Sequence, residues 1–235
     1  MNLSEEQLRE NIACVREKIE QAARRAGRRP DEILLCAASK MQDADTVRRS
    51  ATMGIDLFGE NRVQELVQKR AEGAYGDRPL HFIGHLQTNK VRQVVGAAVM
   101  IQSVGSLHLL EAVEKEAARQ DLCQDILLEV NVGGEASKSG IAPEGLPGLA
   151  EAAAAMPHVH VRGLMAIPPI RDSERENRRD LAAMKKLFDD LRDRGIQHVE
   201  MEFLSMGMSG DFENAILEGA TIVRVGTAIY GARNQ

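Results

Sequence analysis

Apolar positions in this chain recur at two spacings. Over residues 4–26 they fall three or four apart, at Leu8, Ile12, Val15, Ile19, Ala22 and Ala26, behind a Ser4/Gln7 capping-box pattern and ahead of Gly27. That spacing predicts an amphipathic first helix. Beyond it come eight short apolar runs that read as strands: "EILLCAAS", "IDLFGE", "LHFIG", "VMIQSV", "DILLEVNV", "VHVRGLMAI", "VEMEFLS" and "TIVRVG". Helix-like stretches separate them at 43–53, 60–72, 106–120, 144–156, 174–194 and 211–218, with a weaker one near 88–96. Strands alternating with helices build right-handed βαβ units around a parallel sheet covered on both faces. Eight such units close into a (β/α)8 TIM-type barrel, whose usual length of ~250 residues is near the 235 found here. An open doubly wound sheet ranks second, because no GxGxxG opens any of these helices. No Pro/Gly/Ser-rich linker interrupts the pattern, so residues 1–235 are expected to form one domain, with 1–30 as the N-terminal helix and linker.

Composition narrows the classes of partner. Hydrophobic residues make up 43% and charged residues 28%, ordinary for a globular chain. A net charge of -5 and an aromatic content of 3% leave neither a basic stripe nor stacking rings for nucleic acid. The acidic start "MNLSEEQLRE" is unlike a signal peptide, and no apolar run reaches membrane-spanning length, so a cytoplasmic protein is expected. Cys14, Cys36 and Cys123 each sit among apolar residues, a pattern that predicts reduced core thiols rather than disulfides or a metal site.

In a barrel, functional groups gather at the C-terminal ends of the strands. Those ends hold Ser39 and Lys40, then Gly59, Glu60 and Asn61, then Gly84, His85 and Gln87, then Asn131 with "GGEASKSG", and finally "LSMGMSGD" and "VRVGT". Lys40 shares a strand face with Ala38, Cys36 and Leu34, so the smaller residues would line the mouth beside it. Desolvation there lowers a lysine pKa toward the range that allows Schiff-base formation, although a lysine ending a strand is more often solvated or ion-paired. "SMGMSGDFENAILEGA" sets Ser205, Gly207, Ser209 and Gly210 just before a helix, where free N–H groups favour an anion, and "VRVGT" adds Gly226 and Thr227 after the last strand. Ordinary capping by Ser209 or Asp211 is the alternative for the first loop. Both loops together, opposite a strand-end lysine, point to a ligand with a phosphate at one end and an aldehyde at the other: pyridoxal 5'-phosphate. Arg224 can only donate, so at a pyridine nitrogen it would keep that atom unprotonated. Its alternative partner is a carboxylate such as Glu60.

The blocks "AASK", "FGENRVQE", "HFIGHLQTNK", "EVNVGGEASKSG", "GLMAIP" and "LSMGMSGDFENAILEGATIVRVGTAIYG", running in order from about residue 33 to 231, resemble the pyridoxal phosphate homeostasis protein family, the YggS/PROSC type. The fold of that family is similar to the barrel domain of bacterial alanine racemase. The resemblance implies that Lys40 is the Schiff-base lysine, that Ser205, Ser209, Gly226 and Thr227 hold the phosphate, that Arg224 faces the pyridine nitrogen and that Asn61 lies beside the cofactor. The chain departs from the family pattern at Met41, Gln42 and Asp43, where Thr-Lys-Pro is usual, at Arg62, usually tyrosine, and at Leu80, usually tryptophan; these bear on contacts at the cofactor's open side. His85 reads as an acid or base or, more simply, as a loop histidine bonded to backbone. Lys138 reads as a surface lysine or a second aldehyde acceptor, and the charged run 171–180 as a solvated loop entering a helix.

The same resemblance raises the question of catalysis. Two-base racemisation uses a tyrosine from an extra β domain and the partner subunit, and the sequence ends at Gln235, soon after the eighth strand. Its two tyrosines are Tyr75, in a polar stretch, and Tyr230, expected to be packed. The expectation is therefore a monomeric carrier that buffers or delivers pyridoxal phosphate, meets cofactor-dependent apoenzymes transiently, and has no catalytic residues of its own. A weak racemase or transaminase is the enzyme alternative, and a Schiff-base aldolase acting on a sugar phosphate the more distant one.

Overall fold

A computed structural model describes residues 3–135, 139–171 and 173–231. All eight expected strands are present: β1 (Leu34–Ala38), β2 (Leu57–Glu60), β3 (Leu80–Phe82), β4 (Met100–Val104), β5 (Gln124–Glu129), β6 (Val159–Met165), β7 (Val199–Ser205) and β8 (Ile222–Val225). Each pairs in parallel with its sequence neighbour, and β8 pairs with β1 to close the barrel. Around it lie α1 (Glu5–Arg25), α2 (Ala44–Ser50), α3 (Val63–Ala71), α4 (Leu107–Arg119), α5 (Leu146–Ala154), α6 (Glu174–Asp193), α7 (Phe212–Leu217) and a one-turn α8 (Thr227–Tyr230).

Strand alternation divides the core as the sequence implies. Leu34, Cys36 and Ala38 of β1 cluster inside with Leu57, Ile83, Ile222 and Phe203, while Leu35 and Ala37 join Phe58, Phe82, Ile101 and Val223 under the helices. Met100, Leu127 and Met165 fill the rest of the interior.

Helix α1 begins with the expected capping box at Ser4 and Gln7 and buries Leu8, Ile12, Val15 and Ile19. It packs against α2, α7 and α8. Because α8 is a single turn, α1 covers the β8–β1 side where a full last helix would otherwise lie. Asn11 Nδ2 donates to Ile229 O at 2.9 Å and Arg28 Nη1 to Ala220 O at 2.7 Å, which tie the first helix and its linker to that side.

Three expectations are corrected. Cys14 and Cys123 are exposed, and only Cys36 is a core thiol. Cys14 lies between apolar neighbours but off the stripe of Leu8, Ile12, Val15 and Ile19 that the helix buries, and sequence adjacency does not report a face. Tyr75 lies in the turn after α3 but does not face solvent there: it is 5% exposed, with its ring 5.5 Å from that of Phe58. The stretch near 88–96 is a 3-10 helix at Thr88–Gln93. Among the described residues no helix is long and apolar enough to cross a membrane.

Candidate functional site

Immediately after β1 the backbone is clamped by a buried ionic network. Ser39 donates its N–H to Gly59 O at 3.0 Å and its hydroxyl to Glu60 Oε1 at 2.7 Å, while its carbonyl accepts from Lys69 Nζ at 2.7 Å. On the far side of Lys40, Met41 N–H donates to Glu65 Oε2 at 2.6 Å, and that oxygen also accepts from Lys69 Nζ at 3.1 Å. Lys40, half-buried, is thus held at both flanking residues. Glu60 is wholly buried, and burial raises its pKa against the pull of Lys69 and Ser39. Three donors crowd its Oε1, the third being Tyr75 at 3.2 Å, and among the described residues Oε2 has no partner. The unusual Met41–Gln42–Asp43 segment has a structural account: Met41 turns in the left-handed region at φ 63°, and Asp43 caps α2 by accepting from Thr46 N at 2.7 Å.

Asn61 follows β2 into the mouth, and its buried Oδ1 has no hydrogen-bond partner among the described residues. A buried acceptor of this kind costs free energy unless something donates to it. Its backbone presses on the end of β3: a Cβ on Gly84 would lie 2.1 Å from Asn61 O, which is why glycine stands there.

The loops after β7 and β8 converge through Ser209. Its hydroxyl oxygen accepts from the N–H groups of Gly226 at 3.2 Å and Ala228 at 3.3 Å, around an exposed Thr227. Ser209 therefore does not cap α7, and Asp211 is committed elsewhere, taking Met208 N–H at 2.7 Å and Asn177 Nδ2 at 3.0 Å. A Cβ on Gly226 would lie 3.2 Å from Ala38 O, so this cradle abuts the end of β1, two residues from Lys40. A cavity of about 680 Å³ lies beside Ser209 and Asp211 and another of about 450 Å³ beside His85 and Glu129; neither lining includes Lys40.

Arg224 points into the barrel, almost fully buried, and donates through Nη1 to Ser205 Oγ at 2.6 Å and through Nη2 to Ala166 O at 2.8 Å. Burial lowers its pKa, and nearby Cys36, Asp211 and Glu129 oppose that. Glu60 is not its partner: the alternation that turns Gly59 inward turns Glu60 outward, against Lys69 of α3. Ser205, expected at the phosphate, is fully buried, accepts from Arg224 and spends its one proton on Gln102 Oε1 at 2.6 Å, so its hydroxyl is committed inside the barrel, apart from the loop N–H groups that Ser209 meets. The expectation of a backbone-bonded His85 is also corrected, since among the described residues this exposed side chain makes no hydrogen bond. Lys138 lies outside the described residues. Sequence reasoning missed Lys69, Glu65 and Glu129. The i,i+4 pair Glu65/Lys69 was a visible signal, but nothing local said that it faced inward. Glu129, whose pKa burial raises, accepts from Ser139 Oγ at 2.8 Å inside the mouth.

Comparison with known proteins adds to this geometry. The family model described as alanine racemase, N-terminal domain, matches residues 4–234. A pyridoxal phosphate homeostasis protein of Aquifex aeolicus is 42% identical over 224 residues, 95% of this chain and 97% of that one. Another, from Pseudomonas aeruginosa, is 43% identical over 227 residues, 96% and 95% of the two chains. PipY of Synechococcus elongatus, solved with PLP bound, superposes with a TM-score of 0.82 at 30% identity over 95% of this chain and 100% of its own. Alanine racemase of Corynebacterium glutamicum shares the fold at 18% identity and a TM-score of 0.72, with 98% of this chain matching 62% of that one.

Proposed function

Because this chain belongs to the alanine racemase N-terminal-domain family, among its pyridoxal phosphate homeostasis proteins, we propose that it holds pyridoxal 5'-phosphate in the mouth of its barrel and buffers or delivers it without turnover of its own. The observation that carries this reading is the cradle in which Ser209 meets the Gly226 and Ala228 N–H groups, set against the end of β1. When bound, the cofactor supplies an aldehyde that a lysine amine can attack. Lys40 is the amine, at a strand end whose flanking residues Ser39 and Met41 are fixed by Lys69 and Glu65. Gly226, Ala228, Ser209 and Thr227 would hold the phosphate, the two N–H groups turning to it from the Ser209 oxygen they meet here, Arg224 would donate toward the ring, and the buried Asn61 oxygen, without a partner among the described residues, would accept from a hydroxyl of the ligand.

Replacing Ser209 by Ala together with Thr227 by Val is expected to weaken pyridoxal phosphate binding by about 1–3 kcal/mol per lost charge-assisted bond, while pyridoxal, which lacks the phosphate, binds nearly as before. Equal losses for the two ligands in a fluorescence titration would place the phosphate elsewhere.

The placement of the acid–base groups supports a reading without turnover. Racemisation needs a proton removed from one face and returned to the other, and Lys40 serves only one. Both tyrosines of the sequence are buried: Tyr75 is bound to Glu60, and Tyr230 shares a 3.1 Å hydrogen bond with Ser50. Burial raises both phenol pKa values well above the ordinary range. Loaded protein incubated with L-alanine in deuterated water is expected to give at most slow exchange at Cα with retained configuration. Formation of D-alanine at ~10 per second, typical of a dedicated enzyme, would make the chain a racemase and His85 its second base. In this reading the chain works as a cytoplasmic monomer that meets apoenzymes transiently.

A further inference from the structure

One continuous polar line crosses the apolar interior of the barrel. Arg224 Nη1 on β8 donates to Ser205 Oγ on β7 at 2.6 Å, Ser205 Oγ donates to Gln102 Oε1 on β4 at 2.6 Å, and Gln102 Nε2 meets His81 Nδ1 on β3 at 2.8 Å. All four side chains are buried, among Met100, Leu127, Met165, Ile83 and Cys36. Strands β4 and β7 are not neighbours in the barrel, so the line spans from one wall to the other.

The direction of each proton follows from the first member. A guanidinium only donates, so Ser205 accepts from it, and the serine's own proton goes to Gln102 Oε1. That bond orients the amide with Nε2 toward the imidazole. An amide nitrogen also only donates, so His81 Nδ1 is the bare nitrogen and the ring proton sits on Nε2. Burial lowers the His81 pKa to about 4, which keeps the ring a neutral acceptor near pH 7. At the other end Ala166 O takes a second guanidinium N–H, so Arg224 cannot turn without breaking a bond at each edge.

We propose that His81, Gln102 and Ser205 are positioning residues that lock the plane of Arg224 and thereby set the donor it presents to the ligand in the mouth. A satisfied buried network of this kind holds one geometry, because every rotation leaves a polar atom unpaired in an apolar interior. The role rests on the cofactor reading above. A line that merely filled polar space would tolerate an apolar side chain of equal volume at position 102.

The test begins without ligand. Nitrogen-resolved NMR of the full chain at pH 7 is expected to show His81 as the Nε2–H tautomer. Pyridoxal phosphate is then titrated into wild type, Gln102→Met, Ser205→Ala, the double variant and Gln102→Glu. Each of the first two substitutions is expected to weaken binding about tenfold, the scale of one hydrogen bond to a charged group, and the double variant by no more than either, since both cut the same line. Gln102→Glu keeps the acceptor for Ser205 and is expected to stay within about twofold of wild type while moving the His81 proton to Nδ1. An Nδ1–H or doubly protonated His81 in wild type overturns the proposal, as do additive losses in the double variant or equal losses for the Met and Glu variants. Should Gln102→Glu fail to fold, the tautomer and the Ser205→Ala cycle still decide. Lack of cofactor uptake by wild type overturns the functional reading and this proposal with it, and the ligand-free spectrum tells that failure apart from failure of the line alone.

Discussion

Lys40→Ala is expected to abolish covalent retention of pyridoxal phosphate, with borohydride-fixed label falling to background on peptide mass spectrometry, while the melting temperature hardly moves. The side chain is half-buried at a strand end, and the anchors of that segment are its neighbours Ser39 and Met41, so its removal opens no deep core cavity. Non-covalent binding should persist in weakened form, because the Ser209, Gly226 and Ala228 cradle does not involve the lysine. Label retained at the wild-type level would move the aldehyde to another amine, Lys138 first, and would sink the assignment of Lys40.

The largest loss of stability is expected from Lys69→Met. Lys69 is buried on α3 and makes three of the bonds around the end of β1, to Glu60, Glu65 and the Ser39 carbonyl. Removing one partner of a buried pair leaves an uncompensated charge, typically at a cost of about 3–5 kcal/mol. The pH dependence has a defined sign. The folded-state pKa of Glu60 is already raised by burial, and without Lys69 it rises further. A folded pKa above the unfolded one means that the folded state binds the extra proton, so stability falls as pH rises through that window. The deficit relative to wild type should therefore be greatest near pH 8 and shrink toward pH 5. Glu60→Gln combined with Lys69→Met removes the charge and should recover most of the loss. Urea unfolding across this pH range decides the matter: a deficit independent of pH would show that Lys69 contributes through packing of its stem alone. The same variant should also slow cofactor attachment, since Ser39 and Met41 lose a common tether.

Reading by sequence finds candidate chemistry where it is written into a strand end. Lys40, Asn61, Ser209, Gly226 and Thr227 all follow apolar runs directly, and barrel topology alone carries such positions to one face. It failed for Ser205, which looks like its neighbour Ser209 in "SMGMS". The last inward residue of β7 points down the barrel, however, and the serine four residues later reaches across to β8. It failed too for Tyr75 and Cys14, where flanking residues suggested one environment and the facing element imposed another.

By itself the sequence determined the order of eight strands and the helices between them, because parallel strands buried on both faces leave apolar runs that helices and turns punctuate. It also determined which loops hold the candidate chemistry. Only closure of the barrel decided which polar groups meet inside it. Gln102 and Ser205 are 103 positions apart, His81 and Gln102 are 21 apart, and Lys69 reaches back 30 positions to the Ser39 carbonyl. A run of residues records how often a side chain faces inward. What it meets there depends on which strand stands opposite, and that is set by the sheet's circumference and register rather than by any local spacing.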